Sequence, residues 1–166
     1  MDANAQFMLF QKYGGKLMTI CLRYACDQGE AEDMLQESFI RIFKYINQYN
    51  SRGSFEGWLR RITVHAAIKV LQDRKIRFSG ISDTQLEFKT SDPDIFSDLS
   101  ANDLLKFISQ LPDGYRIVFN MYALEGYSHN EIARILNIKT ATSRSQLSKA
   151  RAILKEKINS FQKTPG

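Results

Sequence analysis

The sequence has little of what catalysis, secretion or membrane insertion requires. Its 166 residues include two cysteines, three prolines and two histidines. No paired carboxylates, metal-ligand cluster or nucleophile beside a base stands out, so no enzyme, metal, cofactor or small-molecule substrate is expected. No run approaches the roughly 18 apolar residues of a membrane span, and the N-terminus lacks a charged stretch followed by an apolar core. A protein that stays in the cytoplasm without direct membrane insertion is the expectation. Cys21 and Cys26 lie five apart on a predicted helix, misdirected for a disulfide and without histidines at metal-ligand spacing. Both are expected as packed core thiols in a reducing compartment. The glycines after Tyr13 lack the strand context of a phosphate loop.

What is present is apolar content of 43%, enough for helical cores, and a net charge of +5 that is unevenly spread. Residues 1–75 carry 11 bases against 8 acids, whereas 76–100 carry 2 against 5. Residues 128–166 carry eight Lys or Arg against two acids. Two basic ends flanking an acidic middle suit two nucleic-acid contacts joined by a segment that a duplex repels.

In chain order, apolar residues recur at helical spacing from about Gln6 to Ala25, with Gly14 and Gly15 expected to weaken or bend the helix. A second helix opens at Gly29 and Glu30, with Met34, Leu35, Ile42 and Ile46 as its apolar side, Phe39 and Phe43 adjoining, and Asp33, Gln36 and Glu37 as a polar, acidic patch. Turn residues 50–54 precede a third helix from about Phe55. Its buried stripe is expected at Leu59, Ile62, Ala66 and Val70, while Arg61, His65, Lys69 and Gln72 line another face. Residues 78–100 hold Gly80, Pro93 and five acids without an apolar period, and read as a flexible acidic linker. Beyond it, Leu99 to Leu111 forms one helix, and Asp113 caps another that Gly126 closes. The fold class is therefore all-α: two small helical domains, 1–77 and 101–162.

The second domain ends in SHNEIARILNIKTATSRSQLSKAR, residues 128–151. Ser128 with Glu131 is a capping-box signature, and Asn137 suits the left-handed residue that ends a helix. Thr140 and Thr142 offer hydroxyl caps for the next helix. There Leu147, Ala150, Ile153 and Leu154 must face the core, which gathers Arg144, Ser145, Ser148 and Lys149 on the opposite face. A helix-turn-helix places the start of its second helix in the major groove, where these side-chain types pair with base edges. An ordinary helical hairpin with a solvated outer face would show the same pattern, and the excess of positive charge favours phosphate contact over it.

Three stretches, AEDMLQESFIRIFKYI (31–46), FEGWLRRITVHAAIKVLQDRK (55–75) and LPDGYRIVFNMYALEGYSHNEIARILNIKTATSRSQLSKARAIL (111–154), resemble in order and spacing the extracytoplasmic-function (ECF) group of bacterial RNA polymerase sigma factors, of the sigma-70 family. The resemblance implies an initiation factor with core RNA polymerase and promoter DNA as partners, and an anti-sigma factor that holds it inactive. It makes Asp33, Gln36 and Glu37 the polymerase-docking residues. It points to Tyr49, Asn50, Ser51, Arg52, Phe55 and Trp58 for a flipped minus-10 base, with Arg60, Arg61, His65 and Lys69 flanking the opening duplex. Unpairing costs a few kcal/mol, which capture of the unstacked base offsets. For the minus-35 element it implies Arg144, Ser145, Ser148 and Lys149 toward bases, with Thr142, Gln146 and Arg151 nearer phosphates. The linker would run inside the polymerase, competing with RNA for basic walls. His65 stands where many members carry asparagine, and Ser148 where a larger side chain often reaches into the groove. A stand-alone helix-turn-helix regulator is the alternative, and it predicts tight DNA binding without polymerase.

Overall fold

The computed structural model describes residues 2–77 and 100–163; the linker expectation falls, apart from Ser100, outside the described residues. Every regular element among the described residues is helical, and the chain divides into two compact units, one on either side of that stretch. The all-α reading holds.

In the first unit, α1 (Ala3–Tyr24), α2 (Gln28–Tyr45) and α3 (Phe55–Arg77) pack on one another, a single turn of 3-10 helix (Ile46–Gln48) extending α2. Helix α1 is capped by the Asp2 carboxylate, which accepts from the Ala5 amide at 2.8 Å, and it runs unbroken through Gly14 and Gly15. Asp27 caps α2 in the same way, accepting from the Glu30 amide at 2.8 Å, and that bond is the first cause holding its carboxyl below the ordinary range. The α2–α3 pairing differs from the expected stripes. On α2, Ala31, Met34, Ser38, Phe39 and Ile42 are buried, while Leu35, Phe43 and Ile46 are half-buried. On α3, Leu59 and Ala66 are buried as expected, but Thr63, Val64, Ala67, Ile68 and Leu71 join them, and Ile62 and Val70 are only half-buried. Helix α3 meets two partner helices, so its buried face is wider than a single stripe. Ser38 and Thr63 enter this core by turning their hydroxyls back on the carbonyls of Met34 and Leu59, at 2.6 and 2.9 Å.

The expectation that both cysteines are packed core thiols holds for one of them. Cys21 is buried, and desolvation pushes its thiol up to about 12. Cys26 is exposed just past the end of α1, beside Asp27, Glu30 and Arg74.

The second unit comprises α4 (Ala101–Ser109), α5 (Asp113–Phe119), α6 (His129–Leu136) and α7 (Thr140–Lys163). Ser100 caps α4 through the Asp103 amide at 3.2 Å. Asp113 does not cap α5 as expected. It is the first helical residue, and its carboxylate pairs at 2.6 Å with Arg116, whose other nitrogen donates to the Leu111 carbonyl at 2.7 Å. Arg116 is 2% exposed, a charge admitted to the core because both of its ends are partnered. Beyond Phe119 the helix widens over Asn120–Leu124, where the Glu125 amide reaches back five residues to the Asn120 carbonyl at 2.9 Å. Gly126, at φ +78°, then turns the chain toward α6.

Candidate nucleic-acid interface

Helices α6 and α7 form the expected helix-turn-helix. Ser128 Oγ accepts from the Glu131 amide at 3.2 Å, and the Glu131 carboxylate accepts from the Ser128 amide at 2.8 Å, completing the capping box. Asn137 ends α6 at φ 54°, ψ 49°, and the Ile138 amide bonds back to the Ala133 carbonyl at 3.0 Å. The threonines act differently from the expectation. Thr140 is already inside α7, and its hydroxyl reaches the Asn130 side-chain oxygen at 3.3 Å; Thr142 lies within the first turn, half-buried. The core side of α7 is Ser143, Leu147, Ala150, Leu154 and Ile158, with Ile153 half-buried.

The opposite side carries the expected polar face. Arg144, Ser145 and Arg151 are exposed; Ser148 and Lys149 are half-buried. The Lys149 ammonium stands 5.9 Å from the Tyr115 ring centre and the Arg151 guanidinium 5.8 Å from that of Tyr122. A cation over a ring is held in place without losing its charge. Gln146 faces Gly114, where an added Cβ would come within 3.3 Å of its amide, so it packs against α5.

In the first unit the structure gathers residues 49–58 into one aromatic cluster. Phe55 and Trp58 stack at 5.7 Å and 17°, Tyr49 meets both at 5.1 and 5.5 Å, and Tyr13 from α1 closes on Phe55 at 5.8 Å. Tyr13 belongs to this cluster only through the packing of α1 and was not among the expected residues. The turn beneath is fixed by the Tyr49 hydroxyl donating to the Gly53 carbonyl at 2.9 Å, by Asn50 accepting from the Arg52 amide at 3.2 Å, and by positive φ at Ser51 and Gly53. Asn50, Ser51 and Arg52 are exposed on it.

Along α3, Arg61 and Lys69 are exposed, Lys69 pairing with Asp73 at 2.8 Å, and Arg60 is half-buried. His65 is half-buried with its Nε2 enclosed and unpartnered, and desolvation, then the nearby Arg61 and Arg41, push its proton affinity down. On α2, Asp33 and Gln36 are exposed, while Glu37 is half-buried and accepts from Arg41 at 2.7 Å. Gln36 and Glu32 edge an open groove of about 400 Å³ floored by Phe10, Leu35, Phe39, Ile40 and Phe43.

Two family models match this chain, sigma-70 region 2 over residues 9–76 and sigma-70 region 4 over residues 101–154. The chain belongs to the sigma-70 family. Among sigma factors of the ECF group it is 30% identical over 153 residues to SigE of Mycolicibacterium smegmatis, covering 89% of this chain and 59% of that longer protein. It is 28% identical to the sigma-E factor of Salmonella typhimurium, covering 95% of this chain and 88% of that one, and 28% identical to the sigma-H factor of Pseudomonas aeruginosa, covering 90% and 84%. The fold is similar to that of the sigma factor RpoE in complex with the anti-sigma factor NepR from Bartonella quintana, with a TM-score of 0.58 over 92% of this chain and 95% of that one at 18% identity.

Within this sigma factor one cluster was missed by sequence reasoning. His129, the first residue of α6, stacks on Tyr122 at 4.4 Å and 18°, and its Nδ1 shares a 2.9 Å hydrogen bond with the buried Ser143 hydroxyl. Three elements meet there: the widened turn supplies Tyr122, α6 supplies His129 and α7 supplies Ser143 and Arg144. No spacing in the chain announces it, because the widened turn resets the helical phase that would have placed Tyr122.

Proposed function

We propose that this sigma factor binds core RNA polymerase and directs it to promoters, reading minus-10 and minus-35 elements and assisting strand opening. It makes no bond itself; it lends specificity to an enzyme, acts in the cytoplasm, and is held in check by an anti-sigma factor. The observation that carries the reading is the order of two matched regions in one chain, each presenting a cationic helix.

In this reading residues 1–77 dock on polymerase and open the minus-10 element, 78–100 link, and 101–162 read the minus-35 element. The exposed Asp33 and Gln36, with Glu37 behind them, rim an apolar groove, a surface suited to a helical partner with an apolar ridge and basic flanks. The rings of Tyr49, Phe55 and Trp58 give a flipped base an aromatic wall, and the exposed Asn50, Ser51 and Arg52 give it donors and acceptors. Arg60, Arg61, His65 and Lys69 flank that wall along α3. On α7, Arg144 and Ser145 reach bases most readily. Ser148 and Lys149 are set further back, Arg151 meets phosphate, and Thr142 and Gln146 support the helix more than they contact DNA.

The test is transcription from a genomic promoter library by core RNA polymerase with and without this protein, repeated with Gln36→Ala and Arg144→Ala. Transcripts that depend on the protein, share two spaced elements and weaken with both substitutions are expected. Tight, sequence-specific binding without polymerase, and no dependent transcripts, would overturn the reading in favour of a stand-alone regulator.

A further inference from the structure

Beside the helix-turn-helix lies an open cleft of about 590 Å³ lined by Tyr122, Ser128, His129, Asn130 and Arg144, with Glu131 at its edge. The end of α6 is not itself an anion site, because its capping box already engages the Ser128 and Glu131 amides. What distinguishes the cleft is the histidine. Its ring stacks on the Tyr122 face and Nδ1 is committed inward to the Ser143 hydroxyl, two contacts that fix its orientation. Nε2, on the other side of the ring, has capacity to spare. Arg144 lines the same cleft, and Arg151 stands over the Tyr122 ring against which His129 is stacked.

We infer that this cleft seats a backbone phosphate of the minus-35 duplex, held by His129 Nε2 beside the base-reading Arg144, whose charge faces the same cleft, and that His129 takes up a proton when the phosphate arrives. The inference rests on the promoter-binding reading above. In the free protein, desolvation and then the Arg144 and Arg151 charges make the imidazole harder to protonate than a free histidine. A phosphate beside Arg144 cancels that field and offers an anionic acceptor, so the imidazolium becomes the better form. The proton comes from solvent; Nδ1–H then donates to Ser143 Oγ and Nε2–H to a phosphate oxygen. The other charged and titratable groups around the ring are the Glu131 carboxylate, tied into the capping box, Glu125 just ahead of the cleft-lining Gly126, and the Tyr122 and Tyr127 phenols. His129 is the imidazole of this cleft, so a pH response of phosphate binding here is assigned to it.

Proton uptake on binding means that affinity rises as pH falls, by at most about tenfold per pH unit for one linked proton. The experiment uses the full chain and a mixed-sequence DNA duplex carrying a dye that does not titrate near neutrality, with anisotropy followed from about pH 8 to about pH 5.5 at constant ionic strength. In parallel, the His129 Cε1–H resonance is titrated by NMR alone, with the unlabelled duplex and with inorganic phosphate; loss of a signal in His129→Gln assigns it. The expected result is several-fold tighter binding at the acid end, a slope abolished in His129→Gln, and a His129 titration moved upward by duplex. Affinity independent of pH, or a slope surviving in His129→Gln, would overturn the inference while leaving DNA binding intact. A titration moved by inorganic phosphate but not by duplex would overturn it in favour of a free-phosphate seat. Failure to bind duplex at any pH, by the protein alone and with core polymerase, would overturn the promoter reading and the inference with it. The NMR titration of the unaltered protein decides the matter even if His129→Gln folds poorly.

Discussion

Helices α3 and α7 each carry six Lys or Arg, yet they dispose of that charge in opposite ways. On α3, Lys69 is paired with Asp73 and Arg74 with Glu30. On α7, Lys149 and Arg151 rest over tyrosine rings instead. A carboxylate cancels the field a cation projects into solvent, whereas a ring fixes the cation and leaves its field standing. Helix α7 therefore offers a duplex a charge already in position. Helix α3 must surrender an exposed Lys69–Asp73 pair and a part-buried Arg74–Glu30 pair to do the same, and its start presents aromatic surface that the proposed reading assigns to an unstacked base.

The comparison breaks most severely at Arg116, the buried charge of α5 tied to Asp113 and to the Leu111 carbonyl. Arg116→Ala removes the guanidinium that Asp113 and the Leu111 carbonyl share and opens a space in the core, and is expected to destabilise the protein by about 3–5 kcal/mol in denaturant unfolding followed by circular dichroism. Next in size, Arg144→Ala should cost about 1–3 kcal/mol of promoter discrimination, seen as a loss of up to about a hundredfold in initiation at the best promoter relative to one altered in its minus-35 element. A smaller effect separates the two helices directly. Arg151→Ala is expected to reduce the slope of log affinity against log salt by about one, while Lys69→Ala reduces it by less, because Asp73 already occupies that ammonium. Asp73→Ala should steepen the slope, and an unchanged slope would show that the α3 pairing does not govern its charge.

The smallest effect concerns His65. Its folded proton affinity lies below that of the unfolded chain, since desolvation and then Arg61 and Arg41 disfavour its charged form. The stability it contributes is complete above the unfolded value of about 6.5 and is lost as pH falls through it toward the folded value. His65→Leu should flatten the dependence of unfolding free energy on pH across that window, measured by urea denaturation at successive pH values.

Local chemistry was legible in the chain wherever the cause was local. The Ser128 and Glu131 box and the left-handed Asn137 are each written within a few residues, and the structure shows both. The helix-turn-helix and its exposed Arg144 and Ser145 follow from them by helical phase. Nonlocal causes were not legible. Asp113 looked like a cap because an acid before a helix usually is one, but the buried Arg116 claims it. The expected α3 stripe was too narrow because periodicity counts one neighbour and α3 has two. Tyr13 joins the aromatic cluster and His129 joins Tyr122 through packing alone.

The widened turn at Asn120–Leu124 acts as an angular offset between two rigid pieces. An α-helix advances about 100° per residue, so one extra residue in a turn rotates everything beyond it by that amount relative to everything before. Arg116, Ile117, Val118 and Phe119 are buried, while Tyr122 presents its ring to His129 and Arg151. Deleting one residue here, such as Ala123, would restore ordinary winding, leave the composition of both faces nearly untouched, and carry the aromatic seat of His129 away from α6 and α7.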